Sequence, residues 1–266
     1  MASTGGSAVT EMNPMANTTS SDVGPLIEVT NVSVEYQMAE DRVGTIKEFA
    51  VQALKRQRTL KRFEAVKDVS FSVRRGETLA LIGPNGAGKT TLMKVVARVL
   101  PPTKGRVIVR GSLAPMIALG AGFNPEVSAY DNIILFGTLL GRDPEYMRSR
   151  VPVIAEWAGL TEFIQTPVRN YSSGMTARLG FAVAADVDPD VMVVDEVLSV
   201  GDQVFQRKSF ERMQSLMSGG TAVLLVSHAL DQVEKMADRV IWLDHGSVVM
   251  SGDPETVVNA YKASVQ

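Results

Sequence analysis

Lys89 and Thr90 close the run Gly83-Pro84-Asn85-Gly86-Ala87-Gly88-Lys89-Thr90-Thr91, which has the spacing GxxxxGK[ST]. Glycines in such a run let the backbone curl with its N–H groups turned inward around a phosphate, and a helix N-terminus behind them adds partial positive charge. Lys89 is then placed to reach the β and γ phosphates of a nucleotide, and Thr90 to ligate Mg²⁺. A glycine-rich turn carrying a surface lysine is the plain alternative. The flanks argue against it: Thr78-Leu79-Ala80-Leu81-Ile82 reads as a buried strand before the run, and Leu92-Met93-Lys94-Val95-Val96 as a helix after it.

Two carboxylates, Asp195 and Glu196, end the apolar stretch Val191-Met192-Val193-Val194. At the end of a strand the chain turns, so both can serve one site: Asp195 holding Mg²⁺ through water, Glu196 facing the γ-phosphate as base or water-orienting group. A solvated acidic pair opening a loop is the alternative, and the phosphate run weakens it. His228 directly follows Ala222-Val223-Leu224-Leu225-Val226-Ser227, at the carboxyl end of another strand, where it could bond the γ-phosphate or be purely structural. His245, before Gly246, belongs to a hairpin turn and receives no role.

These groups need a sheet to hold them. The apolar runs at Thr78–Ile82, Val191–Val194, Ala222–Val226 and Val240–Leu243 are separated by helical segments, which implies a mainly parallel α/β sheet. Shorter β patterns run from Leu26 to Tyr36 and from Val69 to Val73, and no internal repeat is visible. A chain of 266 residues, 45% hydrophobic and 21% charged, can bury such a core. Net charge of −2 gives no overall attraction to nucleic acid, and the absence of cysteine excludes disulfides, thiolate catalysis and cysteine zinc sites. Residues 1–25, rich in Ser, Thr, Gly, Asn and Ala, read as a disordered tail and not a secretion signal. No apolar run approaches the roughly 20 residues that span a bilayer, so any spanning segment must come from another chain.

Taken together, GPNGAGKTT, YSSGM, VMVVDE, the loop Ser199-Val200-Gly201-Asp202 and Ser227-His228 resemble, in order and spacing, the nucleotide-binding subunit of an ABC transporter. The resemblance implies an ABC-type ATPase over 26–262, with a mainly parallel core, an antiparallel β subdomain and a helical subdomain at about 124–178. It implies ATP and Mg²⁺ as cofactors, and a homodimer closing head to tail over two nucleotides. Ser172, Ser173 and Gly174 would then grip the γ-phosphate bound by the other copy, with Gly201 and Asp202 in the loop at the dimer contact. A hydroxyl and bare N–H groups at a helix start suit that task, and equally suit a simple helix cap. The family stacks adenine on an aromatic just after the first strand; Tyr36 stands there, with Phe63 as competitor and core packing as a third role for Tyr36.

The sequence departs from the usual family pattern in ways that narrow it. Tyr171, Ser173 and Met175 replace a leucine, a glycine and a glutamine of the signature; Ile117–Phe123 lacks the usual glutamine; Val197-Leu198-Ser199 follows Glu196. These features look like the polysaccharide-exporting branch, ATPases that drive lipid-linked O-antigen, teichoic acid, capsule or cell-wall galactan through a separate multispanning permease. The expected place is the cytoplasmic face of the cytoplasmic membrane. The chain stops too soon after Tyr261 for the carbohydrate-binding domain some members add, so glycan choice is expected to lie mainly in the permease. The other functional class is a non-transport ABC ATPase clamping a cytoplasmic partner; such clamps usually carry tandem cassettes or a coiled-coil insert, and neither is visible here. Between the first two strands, 42–62 reads as an amphipathic helical insert: Ile46, Phe49, Ala50, Ala53 and Leu54 form one stripe, with Lys47, Lys55, Arg56, Arg58, Lys61 and Arg62 making it basic. It is expected either to lie on a lipid or lipid-linked glycan surface or to pack on the ATPase core.

Overall fold

The computed structural model describes residues 24–39, 60–117, 119–195, 201–227 and 229–265. In chain order these form β1 (Ile27–Ala39), β2 (Leu60–Val73), β3 (Thr78–Ile82), α1 (Lys89–Val96), β4 (Lys104–Val109), β5 (Leu113–Met116), α2 (Ala129–Leu139) and α3 (Pro144–Ala158). There follow α4 (Ser173–Asp186), β6 (Val191–Asp195), α5 (Gln203–Ser218), β7 (Ala222–Val226), α6 (Leu230–Met236), β8 (Arg239–Asp244), β9 (Ser247–Gly252) and α7 (Pro254–Val265). The disordered tail expected at 1–25 lies outside the described residues but for its last two, and the helical insert expected at 42–62 but for its last three. Those three, Leu60 to Arg62, belong to β2 and pair with β1.

Six strands form the central sheet in the order β5-β6-β7-β3-β8-β9, parallel except for the β8–β9 hairpin. This is the mainly parallel core expected from the apolar runs, and β3 and β7 are buried at every position. Period-two alternation sorts their side chains onto two faces. Leu79, Leu81, Val191, Val193, Leu224 and Val226 meet α1 and the antiparallel sheet β2-β1-β4, while Ala80, Ile82, Met192, Val194, Val223 and Leu225 meet α4, α5 and α7. The hairpin between β8 and β9 turns at His245 and Gly246, both at positive φ, as the sequence indicated.

A third apolar cluster joins α2, α3 and α4 within the stretch that follows residue 124. Helix α4 belongs to two cores at once: Phe181, Ala184 and Ala185 pack toward the sheet, whereas Leu179, Ala182 and Val183 pack toward α2 and α3. Its two ends are held differently. Ser172 caps the start, accepting the Met175 N–H at 3.2 Å. At the other end, Arg142 donates to the Val187 carbonyl, Arg212 to the Ala185 carbonyl at 2.7 Å, and Arg150 makes a two-pronged pair with Asp186 at 2.6 and 3.1 Å. Cations and donors at a helix C-terminus satisfy its open carbonyls and oppose its dipole.

Candidate active site

The run Gly83–Thr91 forms the turn between β3 and α1 at the carboxyl edge of the sheet, where ligand sites of such sheets collect. Gly88 is the N-cap of α1 at φ 102°, in the left-handed region, and brings no side-chain cap. A Cβ there would stand 2.4 Å from the Ala65 carbonyl oxygen, so only glycine lets the turn lie this close to β2. The opening N–H groups of a helix have no acceptor further back in it, which makes this turn an anion site by construction. Two backbone bonds brace it from below: Gly246 N–H donates to the Ala87 carbonyl at 3.1 Å, and Lys67 N–H to the Gly246 carbonyl at 2.8 Å. This support from the β8–β9 turn has one sign in the sequence, the glycine after His245.

Lys89 is 7% exposed, and its ammonium donates to the carbonyls of Gly83 and Pro84 at 2.6 and 2.9 Å. Its charge is therefore fixed inside the loop and not left on a free stem.

A cleft of about 390 Å³ opens over the turn. Asn85, Gly86, Ala87, Gly88, Lys89, Thr90 and Thr91 line its floor, with Asp195 and Val226 on one wall and Tyr36, Phe63 and Ala65 on the other. Asp195 reaches it by strand parity: it continues the series Val191, Val193 on the face of β6 that meets α1. Tyr36 and Phe63 are cross-strand partners in β1 and β2, so the two candidates for a stacking aromatic stand side by side. Tyr36 packs partly on the core with its hydroxyl 3.4 Å from Thr91 Oγ1, whereas Phe63 is 47% exposed. Glu196 and His228 lie outside the described residues.

A larger cleft, about 700 Å³, lies at the amino ends of β3 and β8, lined by Arg74, Arg75, Glu77, Asp238 and Arg239 among others. It holds balanced charge that is largely spent on internal pairs, such as Arg75 with Asp190 and Arg239 with Glu77, and it faces away from the phosphate turn.

Ser172, Ser173 and Gly174 start α4 and do not line the 390 Å³ cleft. The capping role falls to Ser172, not Ser173. Tyr171 and Met175 pack against the helical cluster, and the Tyr171 hydroxyl donates to the Phe163 carbonyl at 2.8 Å, with burial pushing that phenol up. Asp202 caps α5 by accepting the Phe205 N–H at 2.9 Å and pairs with Arg178 of α4 at 2.7 Å. That N–H, followed by the Arg178 charge, holds its carboxyl below the usual range. Gly201, at φ 86°, lets the loop turn against Phe205 and Arg178.

The family model for ABC transporters matches residues 66–199. The chain belongs to the ABC transporter family. It is thus an ABC-type ATPase that binds and hydrolyses ATP, on the fold expected from its motifs. It is 41% identical to the O-antigen export system ATP-binding protein RfbB of Klebsiella pneumoniae over 91% of this chain and 99% of that one. It is also 37% identical to the teichoic acids export ATP-binding protein TagH of Listeria monocytogenes, over 89% of this chain and 69% of that one. Among solved structures it superposes on the ATP-binding subunit of an ABC transporter with TM-score 0.70 at 22% identity, covering 89% of this chain and 93% of that one. A bacterial ABC transporter cassette solved as a dimer gives TM-score 0.68 at 21% identity, over 86% and 98%. At these identities the structures speak for the fold.

Proposed function

We propose that this ATPase drives a lipid-linked polysaccharide across the cytoplasmic membrane through a separate permease, working from the cytoplasmic face. The observation that carries the ATPase half is the single cleft that gathers the phosphate turn, Asp195 and two aromatic rings. The glycan half is supported by the likeness to O-antigen and teichoic acid export proteins over nearly the whole chain. Among the described residues no helix is long and apolar enough to cross a membrane.

In this reading the backbone N–H groups of Gly86 to Thr91 cradle the phosphates, and Lys89 supplies fixed positive charge beside them. Asp195 on the cleft wall and Thr90 on its floor carry a carboxylate and a hydroxyl, hard oxygen donors of the kind Mg²⁺ accepts. When bound, the ion would offset negative charge on the phosphates. Glu196, next after Asp195, orients the attacking water and takes its proton, and His228 bonds the γ-phosphate. Adenine lies against the aromatic pair; the exposed face belongs to Phe63, with Tyr36 bracing it.

Ser172, Ser173 and Gly174 serve a second copy. They start a helix, which suits an anion, yet none lines this chain's own cleft. A head-to-tail homodimer in which each copy completes the other's site accounts for both facts, with Gly201 and Asp202 at the contact. The basic stretch 42–62 is assigned to the membrane surface or the lipid-linked substrate. Replacing Lys55, Arg56 and Arg58 with glutamate should then lower liposome association and export while sparing the ATPase of the isolated protein; equal loss of all three would return the stretch to a structural role.

The export reading is tested in the native cell by replacing the gene with a Lys89→Ala allele. Surface glycan should disappear while its lipid-linked precursor accumulates inside. Undiminished surface glycan would overturn the assignment.

A further inference from the structure

The loop that lacks the family's glutamine, Leu119 to Phe123, joins β5 of the central sheet to α2 of the helical cluster. Two contacts tie it to α2. The buried Asn132 side chain accepts the Asn124 N–H at 2.7 Å and donates to the Asn124 carbonyl at 2.9 Å. Phe123 meets Phe136 edge to face, with centroids 5.3 Å apart, and a Cβ on Gly122 would stand 2.8 Å from the Phe136 ring. On its other side the loop lies directly on α4. A Cβ on Gly180 would stand 2.9 Å from the Gly120 nitrogen, and a Cβ on Gly120 would stand 2.4 Å from the Thr176 methyl. At Gly180 backbone thus lies against backbone, and at Gly120 the one side chain in the gap is the short, branched Thr176, which has little room to give way.

Thr176 carries the contact to the helix start. While its methyl meets Gly120, its hydroxyl donates to the Ser172 carbonyl at 3.2 Å, and its N–H donates to the same carbonyl at 3.0 Å. A shift of the loop therefore presses on α4 one turn from Ser172, and close-packed elements transmit such shifts instead of absorbing them.

We infer that Gly120, Thr176 and Gly180 are positioning residues: through their steric contact the loop 119–123 sets where the Ser172–Gly174 helix start stands, and so whether it meets the partner copy's phosphate. This rests on the phosphate-gripping role proposed above for that helix start. It gives the loop a mechanical task that needs no glutamine, because the junction is made by shape.

The test uses the full-length protein and its ATPase activity, with binding of a fluorescent ATP analogue and the melting temperature measured on the same samples. Gly180→Ala pushes the loop and helix apart; it should lower kcat roughly tenfold or more, the cost of a misplaced reacting group, and leave analogue binding unchanged, while the overpacking, partly offset by the better helix propensity of alanine, lowers the melting temperature by only a few degrees. Gly120→Ala should lower kcat likewise. Adding Thr176→Ser, which removes the obstructing methyl but keeps the hydroxyl, should recover part of that loss. This pair carries the test if Gly180→Ala does not fold. Wild-type kcat in Gly180→Ala, analogue binding that falls in step with kcat, or a Gly120→Ala defect untouched by Thr176→Ser would overturn the inference. A Ser172→Arg control separates the layers: if that variant turns over like wild type, the phosphate role of the helix start fails, whereas an inactive Ser172→Arg beside a fully active Gly180→Ala sinks only the positioning role.

Discussion

Gly88→Ala tests whether the phosphate turn is held by close backbone approach. The new Cβ meets the Ala65 carbonyl oxygen at 2.4 Å, and that gap must open to at least 3.0 Å. Ala65 cannot yield alone, because β2, the Gly246 turn and the Ala87 carbonyl are linked by successive backbone bonds. The strained φ of 102° costs about 1–2 kcal/mol for a residue with a Cβ, and the overpacking about 1–3 kcal/mol more. A total on the order of 3 kcal/mol lowers the melting temperature by roughly 6–12 °C for a chain of this size. Displacing the turn by a sizeable fraction of an ångström should also cost about 10² in ATP turnover. Gly86→Ala is the comparison: it shares a positive φ, 81°, but its Cβ meets nothing within 4 Å, so only the dihedral cost of about 1–2 kcal/mol remains. Thermal melts and a phosphate-release assay read both variants. Equal melting temperatures for the two, or wild-type turnover in Gly88→Ala, would refute the close-approach argument.

Mixing Lys89→Ala chains with Ser172→Arg chains should restore partial hydrolysis, since the heterodimer keeps one intact composite site; if each variant alone already works at the wild-type rate, neither residue belongs to the site. Glu196→Gln should retain ATP binding, lower turnover by around 10² or more and accumulate an ATP-bound dimer on size-exclusion chromatography, and full hydrolysis by this variant would remove Glu196 from the mechanism. Asp190 accepts from the Ser112 N–H and hydroxyl and from Arg75, and these bonds, the backbone one first, hold its carboxyl below the usual range. Its contribution to stability is thus full above the ordinary aspartate value of about 3.9 and is lost as pH falls through the lower folded value. Asp190→Asn should melt below wild type at neutral pH and converge with it in acid; a gap independent of pH would rule out the charged form as the stabilising one.

The local code was legible where a short segment sufficed. The spacing from Gly83 to Thr90 needs a strand before and a helix behind, and both are written in adjacent residues, as are the fully buried runs of β3, β6 and β7. The strands that left no clear pattern, β4, β5 and β9, all lie at sheet edges. An edge strand is not enclosed by neighbours on both sides, so it has no need of a continuous apolar run; β5 even accommodates Pro115. Other features depended on residues far apart in the chain. Strand order places β7 between β3 and β6, and only that order, with the parity of β6, brings Asp195 over the phosphate turn. The β1–β2 register sets Tyr36 beside Phe63, turning two competing candidates into one aromatic wall. Gly120 and Gly180 read in sequence as ordinary glycines, and their meaning appears only when α4 lies against the loop. Composition and spacing determine which chemistry the chain can hold, because that chemistry is carried by neighbouring residues; which distant groups meet is decided by non-local strand pairing and close packing, which no single stretch of sequence contains.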